Sequence, residues 1–337
     1  MTLLKVIMSN VNKYTLWLTK PGPISVVPLF DKIAVFLVKI VYLLSYLVLR
    51  LSLRIALGKK RRDRVFDKKA LAFNYEFDVI PSFDIIRFIY FIIKFLGFAN
   101  PFLLKISVPK YGYKAYCPIN KNDLISMTIR EDDIIEYFTP KEGDIVVDIG
   151  AHIGRYTIIS SKRVGANGKV IAIEADPSNF GMLNRNIELN QLTNVIPLNY
   201  AVYSKETKVK LYVSEEESGN TIYNTVISDR ARKEEKFVEV NANTVDYLLQ
   251  SKGIKHEQVN WIKIDVEGAE FEVLKGAART LSNSKDIALL IEIHNLRDST
   301  NLYRPIIEFL KLHNFKIEFE KSHHGGEKHI IVRKQQL

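Results

Sequence analysis

Cysteine is almost absent from this chain of 337 residues, since Cys117 is its only one. A single cysteine rules out an intrachain disulfide framework and favours a reducing compartment, and we expect Cys117 to serve in packing. The chain also lacks internal repeats and long low-complexity tracts. No small-residue cleavage site follows its first apolar run, so we expect no removed signal peptide. These absences favour an intracellular protein with one large core and an accessory region.

Acidic residues are scarce in the first third of the chain. Residues 1–110 hold 18 Lys and Arg but only 6 Asp and Glu, a net charge of +12. The whole chain holds 48 Lys and Arg and 38 Asp and Glu. The remaining residues therefore hold 30 basic and 32 acidic residues, a net charge of −2. The basic region is also the most apolar one, which is typical of a membrane-contacting segment and not of a nucleic-acid-binding arm. We therefore expect a membrane surface as a partner and no nucleic acid.

Two long apolar runs dominate this region. Residues 33–49 contain one charged residue in 17 positions, and residues 84–98 carry two basic residues seven positions apart on one helix face. The basic cluster at 58–64 would lie on the cytoplasmic side with the rest of the protein. The runs predict an apolar helical region over residues 1–120 that lies on a membrane or spans it. The alternative is a helical pair buried against the protein itself, where it covers a substrate cleft.

A strand–turn–helix pattern occupies residues 144–154, DIVVDIGAHIG. An apolar strand ends at Asp148, the chain turns at Gly150, and a helix begins near Gly154. This layout brings backbone N–H groups and a carboxylate to one crevice. His152 occupies the position of the middle glycine of a G-x-G-x-x-G dinucleotide fingerprint. This departure argues against a pyrophosphate on the turn and favours a nucleoside cofactor without phosphates.

Two further acids follow apolar strands. Glu174 ends the run KVIAIE twenty residues after Gly154, where an acid at the carboxyl end of a strand can accept hydrogen bonds from a ribose diol. Asp265 ends the run WIKID and precedes a turn at Gly268. An ordinary strand–turn–helix connection explains each motif alone, but carboxylates gathered at one sheet edge are costly without a ligand. The pattern therefore predicts a cofactor site.

Apolar strands alternate with helical patterns along this part of the chain, which predicts a doubly wound parallel sheet of the α/β class. The predicted strands are 145–149, 169–174, 194–198, 261–265 and 287–293. The predicted helices are 154–164, 177–190, 244–251, 269–281 and 301–313. The last two strands, 315–320 and 328–334, flank a Gly-Gly turn and are expected to form an antiparallel hairpin.

These motifs, taken in order, resemble the FkbM-type methyltransferases, which use S-adenosylmethionine. The resemblance covers roughly residues 140–320 and rests on VVDIGAHIGRYT (146–157), IEADPSNF (173–180), LNRNIELN (183–190), NTVDYLL (243–249), WIKIDVEGAEFEVLKGA (261–277) and LLIEIH (289–294). It implies a Rossmann-like sheet of seven strands, with one antiparallel strand from the C-terminal hairpin, in a methyltransferase domain over 121–337. Ala175 departs from the Glu-Pro of such sequences, which should reduce loop rigidity but not ligand contacts.

The resemblance and the strand ends together define the expected site. Its cofactor-contacting residues are Asp148, Gly150, His152, Gly154, Glu174, Ala201 and Asp265. The expected catalytic residues are His294, Glu292 and Asp265, at the ends of neighbouring strands. His294 is the leading general base for a hydroxyl acceptor, with Asp265 as its orienter or as a ligand of a divalent metal ion. The alternative for His294 is a histidine that is simply hydrogen-bonded at a strand end.

Three histidines near the C-terminus, His323, His324 and His329, lie around the Gly-Gly turn. No cysteine or carboxylate accompanies them at metal-ligand spacing. They predict an exposed hairpin, and no metal site is expected there.

The predicted function is S-adenosylmethionine-dependent O-methylation of a hydroxyl group on a sugar, glycan or glycolipid, by a cytoplasmic protein associated with a membrane. An NAD(P)-dependent oxidoreductase has the same strand, the same Gly turn and the same kind of acidic residue to bind the ribose, so it is the first alternative. A non-catalytic, membrane-anchored binding module is the second, since it would keep the fold and bind no cofactor.

Overall fold

The computed structural model describes seven stretches of the chain: 75–76, 103–118, 121–128, 131–212, 237–294, 302–322 and 327–335. All of them belong to one compact unit, Leu71–Leu337. The apolar runs 33–49 and 84–98 and the basic cluster 58–64 lie outside these stretches, so the N-terminal helical region and its membrane contact stay predictions. Among the described helices, none is long and apolar enough to cross a bilayer.

A seven-stranded sheet forms the centre of the described fold. The strands, numbered along the chain, are β1 Tyr75–Glu76, β2 Leu103–Val108, β3 Tyr113–Pro118, β4 Ile145–Ile149, β5 Lys169–Ile173, β6 Val195–Leu198, β7 Ala201–Val202, β8 Thr207–Tyr212, β9 Phe237–Asn243, β10 Val259–Ile264, β11 Ala288–Ile293, β12 Phe315–Ser322 and β13 Lys328–Lys334. The central sheet has the order β12-β13-β11-β10-β4-β5-β6. Within it, β13 runs antiparallel to both its neighbours and the other pairs are parallel. The predicted doubly wound sheet with an antiparallel C-terminal hairpin is confirmed.

Helices connect the parallel strands, as the alternating pattern predicted. They are α1 Lys121–Thr128, α2 Asp132–Ile135, α3 Arg155–Val164, α4 Pro177–Leu189, α5 Val245–Ser251, α6 Glu270–Gly276, α7 Ala278–Asn283 and α8 Tyr303–Leu312. The single helix predicted over 269–281 is instead two helices, α6 and α7, which meet at Ala277. A side chain at Gly276 would lie 2.3 Å from the carbonyl oxygen of Tyr203, so this close approach requires glycine at a position where glycine weakens the helix.

Both faces of the inner strands β4, β5, β10 and β11 are buried, which explains why these strands read as nearly continuous apolar runs. Side chains alternate between the two faces: in β10, Ile262 and Ile264 pack in one core cluster and Trp261 packs in the other. Polar residues interrupt this pattern on the Trp261 face, near the edge where the parallel strands end. These buried residues, here called the polar row, lie on four neighbouring strands and are Asp148, Lys263, Glu292 and His329.

The strand pair β2–β3 was not predicted from the sequence. It lies along α4, where the side chain of Asn186 accepts a hydrogen bond from the N–H of Tyr116 (2.6 Å) and donates one to its carbonyl oxygen (3.0 Å). Cys117 is fully buried there, in agreement with its predicted packing role. The predicted domain boundary between residues 120 and 121 stays a prediction, although β2 and β3 share a core cluster with Phe138 and α3.

A small second sheet, in the order β7-β9-β8, follows the central one in the chain. Ala201, predicted to contact the cofactor, begins β7 and packs with Leu211 and Ala242 in a separate small cluster. The polar segment 213–236 between β8 and β9 lies outside the described residues.

Candidate active site

The turn after β4 is built around Gly150. Its φ is +74°, in the left-handed region that favours glycine. A side chain at this position would lie 1.8 Å from the carbonyl oxygen of Asp265, so the turn approaches the end of β10 too closely for any other residue. The N–H groups of Gly150 and Ala151 both donate to the carbonyl oxygen of Ile173 at 3.0 Å. The ends of β4, β5 and β10 are therefore held together at one edge, as predicted.

Glu174 lies at the carboxyl end of β5, beside this turn. Its Oε2 accepts a hydrogen bond from the backbone N–H of His152 (2.7 Å), and its Oε1 accepts one from the N–H of Asp176 (2.8 Å). Burial raises the pKa of Glu174, whereas the charge of His152 and the two N–H groups oppose that rise. Each carboxylate oxygen can accept a second hydrogen bond. Glu174, the residue predicted to bind the ribose, thus has a fixed orientation and can still accept hydrogen bonds from the ribose hydroxyl groups.

His152 joins the turn to α1, an element that the sequence analysis did not place at the site. Its φ is +52°, and its Nε2 lies 3.3 Å from Oδ1 of Asp123 in α1. Burial opposes a charge on His152, but the carboxylates of Asp123 and Glu174 raise its pKa above the ordinary value. The guanidinium of Arg155 anchors α1 by donating to the carbonyl oxygen of Ser126 at 2.6 Å. Negative charge from two carboxylates therefore lies beside the turn.

Beneath the turn, Asp148 and Lys263 form a buried ion pair. Asp148 has no exposed surface, and its Oδ2 accepts a hydrogen bond from Thr157 Oγ1 at 2.6 Å. Its Oδ1 has no hydrogen-bond partner among the described residues and lies 3.7 Å from Lys263 Nζ. Burial raises the pKa of Asp148, and the charge of Lys263 opposes that rise. Asp148 is therefore too deeply buried to contact the cofactor, and any effect of Asp148 on binding is indirect, through the position of the turn.

Lys263 cross-links this part of the site. Its Nζ donates to the carbonyl oxygen of Gly150 at 2.9 Å and to Oδ2 of Asp265 at 3.2 Å. Burial alone would lower the pKa of Lys263, but the carboxylates of Asp265 and Asp148 raise it above its ordinary value. Lys263 was not predicted as a site residue, although a lysine inside the apolar run WIKI is a visible signal of a buried, paired charge.

His294 follows β11, and its two ring nitrogens have different surroundings. Nδ1 lies 2.7 Å from Oε1 of Glu270, a carboxylate with no exposed surface at the start of α6. The same Oε1 accepts a hydrogen bond from the N–H of Gly268 at 2.9 Å. Nε2 faces Glu267 and Glu292, at 3.4 and 3.7 Å from their nearest oxygens. A carboxylate at Nδ1 holds a proton there and leaves Nε2 to exchange one, as in histidine general bases.

The carboxylate that contacts His294 is Glu270, and not Asp265, which was predicted to orient it. Asp265 instead accepts a hydrogen bond from Lys263. Burial would raise the pKa of Asp265, but the positive charges of Lys263 and of two nearby histidines lower it to about 2. Asp265, Glu267 and His294 each offer a ligand atom within 4.8 Å of the others. A divalent ion held by Asp265 stays a prediction.

Carboxylates also set the charge around His294. Burial would lower the pKa of His294, but Glu270, Glu267 and Glu292 raise it well above its ordinary value. Burial raises the pKa of Glu267 to about 8, with the charge of His294 opposing that rise. A further positive charge in the crevice would favour the neutral imidazole.

His329 is not the exposed hairpin residue that the sequence predicted. It is 3% exposed and lies opposite Glu292 in the β11–β13 pair. Its Nε2 lies 3.4 Å from Oε2 of Glu292 and 3.6 Å from Oε2 of Glu131. The prediction was wrong because it inferred exposure of His329 from the nearby Gly-Gly turn. Alternation of side chains along β13 directs His329 to the buried face. His323 and His324 lie outside the described residues.

The sequence pattern of the Methyltransferase FkbM domain matches residues 148–317, which is 170 of the 337 residues. The chain belongs to the FkbM methyltransferase family. The matched segment begins at Asp148 in β4 and ends in β12, so it contains the turn, Glu174 and His294.

Relatives of this FkbM-family chain include the hexuronic acid methyltransferase AglP of Haloferax volcanii. The two are 28% identical over 166 residues, which cover 49% of this chain and 62% of AglP. Methyltransferase 1 of Beauveria bassiana is 27% identical over 149 residues, which cover 40% of this chain and 59% of that protein. The chain thus spans less than two thirds of the length of these relatives. Among solved structures, the FkbM methyltransferase from Methylobacillus flagellatus KT is 19% identical, with a TM-score of 0.39 over 58% of this chain and 44% of that chain.

Apart from Ala201 in β7, the predicted site residues of this FkbM-family chain lie in two groups. At the ends of β4 and β5 lie Asp148, Gly150, His152, Gly154 and Glu174. At the ends of β10 and β11 lie Asp265, Glu292 and His294. Residues of the second group that the sequence analysis missed are Glu131, Lys263, Glu267, Glu270 and His329. Glu131 gave no sequence signal, since it lies at the N-cap of α2, far upstream of the motifs.

Proposed function

We propose that this FkbM-family chain is an S-adenosylmethionine-dependent O-methyltransferase that methylates a sugar hydroxyl. The proposal is supported by two side chains with fixed orientations at the same sheet edge. Glu174 is the carboxylate proposed to bind the ribose, and His294 is the imidazole proposed to act as the base. The acid supports nucleoside binding, and the imidazole supports removal of a proton from a hydroxyl.

The surroundings of the turn fit S-adenosylmethionine better than a dinucleotide. The N–H of His152, at the position of the middle glycine of the fingerprint, donates to Glu174 and is therefore not directed at a pyrophosphate. The carboxylate of Glu174 beside the turn disfavours a phosphate there. Glu174 would hold the ribose hydroxyls, and residues 150–152 would lie against the methionine part. When bound, S-adenosylmethionine supplies an electrophilic methyl group on a positively charged sulfur.

Methyl transfer is an in-line displacement, so the protein must align the reactants and remove the hydroxyl proton. Nε2 of His294 would accept this proton as the oxygen–methyl bond forms. Glu270 would hold the imidazole in the tautomer that leaves Nε2 able to accept. A positive charge in the crevice opposes the raised pKa of His294 and so favours its base form.

A neutral hydroxyl acceptor suits the surroundings of His294. Glu292 lies 3.7 Å from its Nε2, and this carboxylate would repel an anionic group at the reacting position. The name of the relative AglP, a hexuronic acid methyltransferase, supports a sugar as the class of acceptor. We therefore propose transfer to a hydroxyl on a sugar, glycan or glycolipid. A glycolipid would also suit the membrane contact predicted for the N-terminal region.

Replacing Glu174 by alanine tests the cofactor assignment. A hydrogen bond to a charged group contributes about 1.5–3 kcal/mol, so we expect the Kd for S-adenosylmethionine to rise roughly tenfold or more. Isothermal titration calorimetry measures the change. Glu188→Ala, at an exposed position of α4, is the matched control and should bind like the wild type. An unchanged Kd in Glu174→Ala would contradict the assignment.

A further inference from the structure

Three side chains from distant parts of the chain meet beside the proposed base. Glu292 and His329 lie opposite each other on β11 and β13, and Glu131 reaches them from the N-cap of α2, where its φ is +59°. One ligand atom of each lies within 4.8 Å of the others. Their side chains are 5%, 4% and 12% exposed, in the order Glu292, His329, Glu131. The cluster is therefore enclosed, and it joins a histidine to two carboxylates.

The spacing of these atoms is that of ligands around an ion. Nε2 of His329 lies 3.4 Å from Glu292 Oε2 and 3.6 Å from Glu131 Oε2, longer than a typical N–H···O hydrogen bond. The neighbouring contact between His294 and Glu270, by contrast, is a hydrogen bond of 2.7 Å. Tetrahedral ligands with bonds of about 2.0–2.1 Å lie about 3.3–3.4 Å apart. The two separations from His329 are therefore close to those between ligands of a zinc-type ion.

The donor set also suits a cation. An imidazole nitrogen and two carboxylate oxygens face one another in a buried cluster. These are donor types that zinc-class ions bind.

A hydrogen bond from outside the cluster supports the same interpretation. The hydroxyl of Tyr156 donates to Oε2 of Glu131 at 2.8 Å, the oxygen that faces His329. Carboxylates that bind metal ions are commonly fixed by such outer hydrogen bonds, which orient the ligand atom. Tyr156 belongs to α3, so the orientation of Glu131 is set by a helix of the core.

We propose that Glu131, Glu292 and His329 bind a divalent cation of the zinc class. Three protein ligands leave one tetrahedral position for a water molecule or a hydroxyl group. The second oxygen of Glu292 lies 3.7 Å from Nε2 of His294, so the ion would lie next to the proposed base. If the proposed function holds, on which this step rests, the acceptor hydroxyl takes the open position, where the ion favours loss of its proton.

Metal uptake by the full-length protein tests the site. Protein without a purification tag is treated with a chelator, dialysed against Zn²⁺ and analysed by mass spectrometry for metal content. We expect about one Zn²⁺ per chain. Glu292→Gln and His329→Gln each remove one ligand with little change in volume, and we expect at least a roughly tenfold weaker affinity in a competition titration with a chromophoric chelator. The control replaces His323 and His324 by Gln and should bind Zn²⁺ like the wild type.

Two results would overturn the site. One is a wild-type protein that takes up no Zn²⁺. The other is equal Zn²⁺ affinity in the wild type and both ligand variants. The Kd for S-adenosylmethionine, measured on the same samples, separates this proposal from the proposed function. Bound Zn²⁺ without S-adenosylmethionine binding contradicts the function alone, and S-adenosylmethionine binding without Zn²⁺ contradicts the site alone.

Discussion

Replacing His294 by alanine is expected to lower kcat by about 10²–10⁴, the usual contribution of a positioned general base. The variant loses the imidazole that Glu270 contacts at Nδ1, which is the proposed acceptor of the hydroxyl proton. The Kd for S-adenosylmethionine should change little, because Glu174 and the turn lie at the ends of other strands. Transfer of labelled methyl groups to a panel of sugars and glycans measures kcat, and calorimetry measures Kd.

Two further variants sharpen this test. His313→Ala removes a partly buried histidine at the C-cap of α8, where Nδ1 contacts the carbonyl oxygen of Phe309, and should leave kcat unchanged. Glu270→Gln keeps the shape of the orienting side chain and removes its charge, so its kcat should fall between the wild type and His294→Ala. Wild-type kcat in His294→Ala would show that His294 is a hydrogen-bonded histidine at a strand end and that another group removes the proton.

Lys263→Met is expected to lower the free energy of unfolding by about 3–5 kcal/mol, the usual result when one partner of a buried ion pair is removed. Asp148 would stay buried with no cation near its Oδ1, and Asp265 and the carbonyl oxygen of Gly150 would each lose a hydrogen bond. Methionine retains most of the aliphatic length of lysine, so the loss of stability is expected to come mainly from the missing charge and not from lost packing. Urea unfolding measures the change.

A surface lysine provides the matched control for this variant. Lys208→Met removes an exposed pair of Lys208 with Glu239, whose side chains are 66% and 57% exposed, and should leave stability nearly unchanged. Adding Asp148→Asn to Lys263→Met should restore part of the lost stability, because it removes the uncompensated buried charge. A Lys263→Met variant as stable as Lys208→Met would show that Lys263 does not hold the turn.

The parts of the fold that the sequence predicted are those that local pattern determines. Strands such as 145–149 and 287–293 are buried on both faces, so they read as short apolar runs between helical patterns. The strand pair β2–β3 was missed because its position depends on Asn186, seventy residues away in the chain. The division of 269–281 into two helices was missed for a similar reason, since it depends on contact between Gly276 and the backbone of Tyr203.

The candidate site divides in the same way. Residues at the carboxyl ends of strands, such as Glu174 and His294, were predictable because parallel strands end at one edge. Glu270 resembles an ordinary acid in the first turn of a helix, and only the fold brings it to His294. His329 was assigned to an exposed turn, although alternation along KHIIVRK gives it the buried face of β13.

Thermal unfolding with added cofactors tests the central claim, that the edge formed by β4, β5 and β10 binds S-adenosylmethionine. A ligand at about 100 times its Kd adds about 2.7 kcal/mol of stability, which should raise Tm by roughly 5 °C for a unit of this size. We expect this rise with S-adenosylmethionine and with its demethylated product S-adenosylhomocysteine, and no rise with NAD⁺. A rise with NAD⁺ alone would contradict the account in favour of an oxidoreductase, and no rise with any of the three would contradict it in favour of a binding module.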